Sequence, residues 1–525
     1  MKGGSPFYEK EENTMKKGIM TGLILMTILL AFTGMGLAAE PKRGGTLTFA
    51  VATTPPTLDW HISAARAVAL YAGMYIWEGL AAVDEKLMPQ PMLADSWKTS
   101  RDGLQWTFIL RRGVRFHNGK EMTSEDVVAS LKRWREVSPR AELFARVKEI
   151  VGPDRYTVIF RLSAPMATLP YILAQEGCQP VIHPKEIIQG APPNKLSSYV
   201  GTGPYKFGEW IPDRHIILDR FGDYSARSDI KGGLAGKRVA YLDRIIFRNI
   251  PEAEVRLAGL KTGEFDAVHP LPQEYIKELE RTPKVRPVII KFDMKPCVYF
   301  SMQGIMKNVK LRKAIRAALN MDEIMFSATG NEKFYELNPD QLWFRSQALW
   351  SDTGKEVYNQ KDVALAKKLA KEAGYKKEPI RFLASATQFH HRRPAIQITE
   401  QLTAAGFNIH LDLRDWPTVA RSQLEPAKWD LLYTRTVTYF PSEASLVTYC
   451  GFHSPETDKL LDIVNRETDL QKLRSAFEEF KRDVMIEQVP RITMGDMFAL
   501  RAERERVRGM QLTYAHPLWN VWLED

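Results

Sequence analysis

Ile380-Arg381-Phe382-Leu383-Ala384 opens a stretch that runs through a helix-period segment to Ala405-Gly406 and closes on Phe407-Asn408-Ile409-His410-Leu411-Asp412-Leu413. The outer runs are short, apolar and β-branched or aromatic. The segment between them is long enough for four helical turns and stops at a glycine. That is a strand–helix–strand unit, and a crossover helix of this length joins parallel strands. The second half of the chain is therefore an α/β lobe.

The pattern extends on both sides. A new alternating run begins near Val285. Val309 to Asn320 reads as a helix with Leu311, Ile315, Ala318 and Leu319 on one stripe, and Asp322 is expected to cap the next helix. Asp362 to Ala373 is another helix, ended by Gly374, with Lys367, Lys368 and Lys371 where cations meet the negative helix end. Trp429 to Tyr433 is a further strand.

The first half is richer in strands. Leu47, Phe49 and Val51 alternate in a strand that Pro55-Pro56 stops. A helix is expected around Ala64 to Tyr75. Trp106, Phe108 and Leu110 alternate, Tyr156 to Phe160 is a strand, and Asn118-Gly119 suits a tight hairpin. Thr123-Ser124-Glu125-Asp126 has the form of a capping box, followed by Val127, Val128, Leu131 and Trp134 on one helical face. Leu260 to Asp266 ends a helix at Gly263.

The front of the chain predicts export. Lys16-Lys17 precede a fourteen-residue apolar run, Ile19 to Phe32, and small residues follow. Gly36 and Ala38 fit the −3 and −1 positions of a signal-peptide cut before Ala39. A spanning helix needs roughly 20 apolar residues. Met15 is the expected start, with residues 1–14 a polar extension that is not native. No Cys follows the apolar run to accept a lipid, so a free periplasmic protein is expected.

The 525 residues less this leader leave 487, too many for one core, which stops growing at about 250–300 residues. Hydrophobic residues make up 44% and charged residues 26%, a folded composition. Net charge is +10; four Lys and three Glu before Ala39 leave +9 on the remainder. The basic residues are interleaved with acidic ones, without a run of five, so nucleic-acid binding is not expected. Cys178, Cys297 and Cys450 form no Cys-x-x-Cys; an oxidising compartment allows one pair and leaves one thiol over.

Several chemistries lack their parts. Gly201-Thr202-Gly203-Pro204-Tyr205 has no closing Gly-Lys-Ser/Thr, and Pro204 removes an amide that a phosphate loop would offer. There is no Gly-x-Ser-x-Gly and no His-Glu-x-x-His, which tells against a secreted hydrolase. His390-His391 are adjacent, so their rings diverge on a helix or strand, and no metal site or cofactor is expected. An adhesive surface protein is the third class, and it predicts no tight small ligand.

The ordered motifs resemble a known family. They are Arg43-Gly44-Gly45-Thr46-Leu47, Thr57-Leu58-Asp59-Trp60-His61, Trp77-Glu78-Gly79-Leu80, Leu93-Ala94-Asp95-Ser96-Trp97, Leu110-Arg111-Arg112-Gly113-Val114-Arg115-Phe116, Asn118-Gly119-Lys120, Thr123 to Val127, Gly201 to Tyr205, Asp223-Tyr224, Leu311-Arg312-Lys313-Ala314-Ile315 and Ala370 to Tyr375. From about Arg43 to Trp519 the chain resembles the extracytoplasmic solute-binding proteins of family 5, the peptide/nickel-type receptors of ABC importers. The resemblance implies a two-lobe α/β periplasmic binding protein of the class II type, with an additional β-rich subdomain in the first lobe. The expected division is 39–82, 196–284 and 490–525 for lobe 1, 83–195 for the β-rich subdomain and 285–489 for lobe 2. It also implies a monomer that captures a small peptide, or a peptide-like or carboxylated solute, and delivers it to a membrane permease. A nickel-chelate, haem or saccharide receptor is the alternative on the same scaffold.

Most signature residues read as structural, and ligand contacts are expected from inter-lobe segments. Trp416 stands where peptide receptors of the family place an aromatic against the ligand; a core Trp is the other reading. Arg435 to Pro441 match the segment that holds a peptide's α-amino group with an Asp. Here no Asp stands between Asp430 and Asp458, and Thr438 and Tyr439 are the nearest counterparts. A hydroxyl does not neutralise a buried ammonium. Arg435 instead offers a fork for a carboxylate, unless it pairs with an Asp of its own lobe. His61 is either a ligand contact or a hydrogen-bonded structural residue.

Overall fold

The computed structural model describes residues 40–525 apart from 193–194, 229–231, 424, 437–451, 453, 512, 514, 516 and 525. The expected leader, Thr438, Tyr439 and Cys450 lie outside the described residues. Residues Arg43 to Asp525 form one compact unit.

Strand β1 (Thr46–Val51) opens the fold. Leu47, Phe49 and Val51 enter one core and Ala50 another, so this strand is covered on both faces. The expected helix after it starts at Arg66 and runs to Ile76 with a π turn at Ala69–Gly73. Next come β2 (Ala94–Thr99) and β3 (Gln105–Leu110), helix α1 (Ser124–Val137), then β4 (Val147–Asp154) and β5 (Thr157–Leu162). These strands form a separate antiparallel sheet in the order β2-β3-β5-β4. Val127, Leu131 and Trp134 of α1 are buried beside it, and the amide of Thr123 donates to Asp126 at 2.9 Å, as a capping box requires. Asn118-Gly119 makes a tight turn closed by one bridge, Arg115 to Glu121, rather than a hairpin of full strands.

The chain then gives β6 (Tyr205–Ile211), β7 (His215–Arg220), β8 (Arg244–Asn249), α2 (Ala253–Thr262) and β9 (Ala267–Leu271). Gly263 ends α2 in the left-handed region, as its position predicted. Strand β10 (Val285–Phe300) is sixteen residues long. The second lobe follows: α3 (Val309–Ala318), α4 (Val363–Glu372), β11 (Ile380–Ser385), α5 (Phe389–Ala404), β12 (Ile409–Arg414), α6 (Trp416–Ser422), β13 (Leu431–Thr436) and α7 (Pro455–Arg466). Strand β11 pairs parallel with β12, Ile380 against Ile409, so the strand–helix–strand reading holds, with the second strand beginning at Ile409 rather than Phe407. Asp362 caps α4 through the amide of Leu365. Asn320, not Asp322, caps the helix Met321–Thr329; Asp322 sits in its first turn and accepts from the Tyr335 hydroxyl.

The last long strand, β14 (Asp496–Arg504), unites the molecule. The large sheet runs β12-β11-β13-β10-β14-β9-β1-β8-β7-β6. Strand β10 pairs with β14 over Val285 to Met294 and with β13 over Lys295 to Phe300. Its register shifts between Ile290 and Met294, where it changes partner. Two crossing strands therefore tie a lobe built on β1, β8 and β9 to a lobe built on β11, β12 and β13. Cys178 and Cys297 are buried thiols without a disulfide. Among the described residues no helix is long and apolar enough to cross a membrane.

Candidate ligand-binding cleft

Ligands of open α/β sheets sit outside the carboxyl ends of parallel strands. Here two of those ends, β9 in one lobe and β13 in the other, open on one cavity of about 320 Å³. The first lobe contributes Ala253 and Arg256 of α2 and the end of β9 with the residues after it, His269 to Gln273. The second contributes His390 near the start of α5 and Arg435 near the end of β13. The crossing strands form the rest: Met294 of β10 with Met497, Ala499 and Leu500 of β14. A larger hollow of about 590 Å³ lies between α1 and Lys185 to Gln189, but its whole lining comes from the early subdomain, so a solute there would not touch both lobes.

The cavity wall is basic. Arg256 is 3% exposed. It donates to three carbonyls, Ile250 at 2.6 Å, Pro251 at 2.8 Å and Pro270 at 2.7 Å, while its Nε has no acceptor. Burial lowers its pKa from the ordinary arginine value. His269 is pushed down to about 3 by burial first, then by Arg66 and Arg501. His390 falls to about 4 through burial and the neighbouring Arg435. Both imidazoles are neutral at neutral pH, so they serve as hydrogen-bonding groups rather than charges. Arg435 reaches across to β10, its Nη1 3.8 Å from the Met294 sulfur.

Of the residues singled out from sequence, Arg435 lines the cavity. Trp416 is the first residue of α6, half-buried, and packs edge-on to His391 at 5.2 Å. His391 follows His390, so Trp416 stands one ring behind the cavity wall. His61 is placed elsewhere. It is fully buried in the first lobe, with Nε2 2.8 Å from the Val181 carbonyl and its ring edge-on to His183 at 4.7 Å. Beside it Arg133 grips Asp59 through two hydrogen bonds. This is the hydrogen-bonded structural role.

Sequence reading missed Arg256, His269 and His390. His269 had a signal in His269-Pro270-Leu271-Pro272. Two prolines end the run Phe265 to Val268, which marks the carboxyl end of a strand. Among the described residues no group of three His, Cys, Asp or Glu is placed to hold a metal ion.

Residues 88–457 match the family model described as bacterial extracellular solute-binding proteins, family 5 Middle. The chain is 27% identical to a probable peptide ABC transporter periplasmic-binding protein of Sinorhizobium fredii, over 80% of each chain. Among solved structures it superposes on AppA, the oligopeptide-binding protein of Bacillus subtilis in complex with a nonapeptide, with a TM-score of 0.74. That match has 21% identity and covers 93% of this chain and 100% of the other. It superposes equally on the binding protein AgaA of A. tumefaciens R10 in complex with agropinic acid: TM-score 0.74, 24% identity, 92% and 99% covered. Both likenesses show the two-lobe fold.

Proposed function

Because this chain belongs to the bacterial extracellular solute-binding proteins of family 5, we propose that it is the exported receptor of an ABC importer. It closes two lobes on a small peptide, or a peptide-like or carboxylated solute, and hands it to a membrane permease. The observation that carries this reading is the 320 Å³ cavity, which takes its lining from both lobes and from the two strands that join them. A solute there touches both lobes and so favours the closed state over the open one. The names of the relatives, a peptide-binding component among them, support a peptide or peptide-sized ligand.

In this reading residues 39–284 with 490–525 act as one jaw, including the β-rich subdomain at 83–195, and residues 285–489 act as the other. Arg435 forks a carboxylate of the ligand, and Trp416 stiffens the wall behind His390 through His391. Thr438 and Tyr439 follow Arg435 and are proposed as polar contacts. The protein acts as a monomer in the periplasm after the leader before Ala39 is removed, and it returns its ligand unchanged.

Small-angle scattering of the mature chain, with and without a mixed tripeptide library and a set of small organic acids, tests the reading. A contraction of the radius of gyration by at least one pool supports it. An unchanged radius with every pool, or chemical turnover of a pool member, contradicts it.

A further inference from the structure

We propose that the outward face of α4, with the residues that flank it, is a docking surface for an anionic phospholipid membrane. This goes beyond the receptor reading and concerns how the exported chain stays near its permease.

The surface is read from one segment, 361–377. It carries Lys361, Lys367, Lys368, Lys371, Lys376 and Lys377 against one Asp and one Glu, a net +4. That is nearly half of the +9 on the chain from Ala39 onward. All six lysines are exposed. Helical spacing of about 100° per residue puts Lys367, Lys368 and Lys371 within one arc of about 100°. The opposite side of α4, Leu365, Ala366, Leu369 and Ala370, packs into the core of the second lobe, so the helix presents its charges outward. The acids of this neighbourhood are engaged. Asp362 accepts from the Leu365 amide at 2.8 Å, Glu372 pairs with Lys310 of α3 at 3.3 Å, and Glu378 accepts from the Lys376 amide at 2.7 Å. Among the described residues no ion pair reaches any of the six lysines.

Lys367 and Lys371 stand four apart on the helix, so they repel each other in the free protein. A leaflet of negative headgroups offsets that repulsion and attracts the whole cluster. The apolar side of α4 faces its own core, so the contact is electrostatic and peripheral, without insertion. Lys376 and Lys377 precede the amino end of β11. Strand β13 runs parallel to β11, and Arg435 near its carboxyl end borders the cleft. A membrane at the other end of the strands therefore leaves the cleft open to solution.

The test is co-sedimentation of the chain from Ala39 onward, which lacks the apolar run 19–32, with vesicles of equimolar phosphatidylglycerol and phosphatidylcholine. Vesicles of phosphatidylcholine alone and soluble polyglutamate are the comparisons. The expected result is binding to the anionic vesicles at low ionic strength, weakened by salt at about 0.15 M, and none to phosphatidylcholine. Each lysine near the surface contributes about fivefold, so reversing Lys367, Lys368 and Lys371 together to Glu should cost about a hundredfold or more. Reversing Lys98, Lys148 and Lys206, three exposed lysines of the first lobe, removes the same charge and should cost far less. If the Glu variant of α4 fails to fold, the same three lysines changed to Gln decide, with an expected loss of about tenfold or more. The proposal is overturned if the anionic vesicles do not bind, or if the two sets of reversals weaken binding equally. Binding of polyglutamate without binding of vesicles overturns it too, and assigns the surface to an acidic protein.

Discussion

Arg146 of the early β-rich region donates to Asp462 of α7 at 3.0 Å, a pair 316 residues apart that joins the subdomain of the first lobe to the second lobe. Next to it the amide of Ala167 donates to the Asn465 carbonyl at 2.7 Å. These contacts lie off the crossing strands, so the hinge does not make them. In the proposed closure of the two lobes they would be made in this arrangement and broken on opening. Asp462→Ala is expected to weaken ligand binding about two- to fivefold, since a partly exposed pair contributes up to about 1 kcal/mol. Titration of the ligand found for the wild type checks it, and the unfolding midpoint should move little.

Lys481 and Asp340 form a fully buried ion pair at 3.1 Å inside the second lobe. Asp340 also accepts from the amides of Leu342 and Trp343, and so organises the loop 340–351 that reaches Lys86 of the first lobe. Removing one member leaves the other as an uncompensated buried charge. Lys481→Met is expected to cost about 3–5 kcal/mol, read as a fall in the urea midpoint. Lys355→Met, in an exposed pair with Asp352, should move it by far less.

Acid is expected to destabilise the protein well before its carboxylates titrate. His61, His117 and His390 are lowered to about 4 and His269 and His391 to about 3, each mainly by burial. The unfolded chain takes up protons near pH 6.5, while the folded chain resists them until its own lower values. Stability is therefore complete above about pH 6.5 and declines as pH falls towards 4. Urea midpoints at pH 7.5 and 5.0 check this. His61→Gln should flatten the slope, because a neutral side chain gains no proton on unfolding.

Gly203 lies against the preceding helix so closely that a Cβ would sit 2.1 Å from the Tyr75 carbonyl oxygen, and the same holds at Gly201, 2.0 Å from that of Ile76. Neither backbone has room to retreat, since the Gly203 amide itself donates to Ile76 at 2.9 Å. Gly203→Ala is expected to destabilise by about 2–3 kcal/mol or more, seen as a lowered Tm. Gly222→Ala, where a Cβ meets nothing within 4 Å, is the control.

These glycines show what the sequence discloses. Local rules recovered the strand–helix–strand unit at 380–413, the helix stop at Gly263 and the cap at Thr123, because each depends on residues within a turn or two. The cap of the helix Met321–Thr329 was misplaced by two residues, since Asn320 and Asp322 are both acceptable N-caps and only the packing of Tyr335 on Asp322 separates them. The cleft was less legible. Arg435 was found through the missing Asp after it. His269 stands at a strand end that its prolines mark, whereas Arg256 on α2 and His390 on α5 come to the same cavity only through the order of the sheet. His61, singled out by the family resemblance, is buried beside Asp59 and Arg133 and is not among the residues that line the cavity.

The measurement that bears most directly on the central claim is native mass spectrometry of the gently purified mature protein at neutral pH, with any small molecule released by denaturation identified and then titrated back. The account predicts one peptide, or peptide-like or carboxylated solute, per chain, released intact, whose rebinding contracts the protein in scattering and is weakened in Arg435→Gln. A solute that emerges chemically altered, or a protein that neither carries nor rebinds any peptide or organic acid, would contradict it.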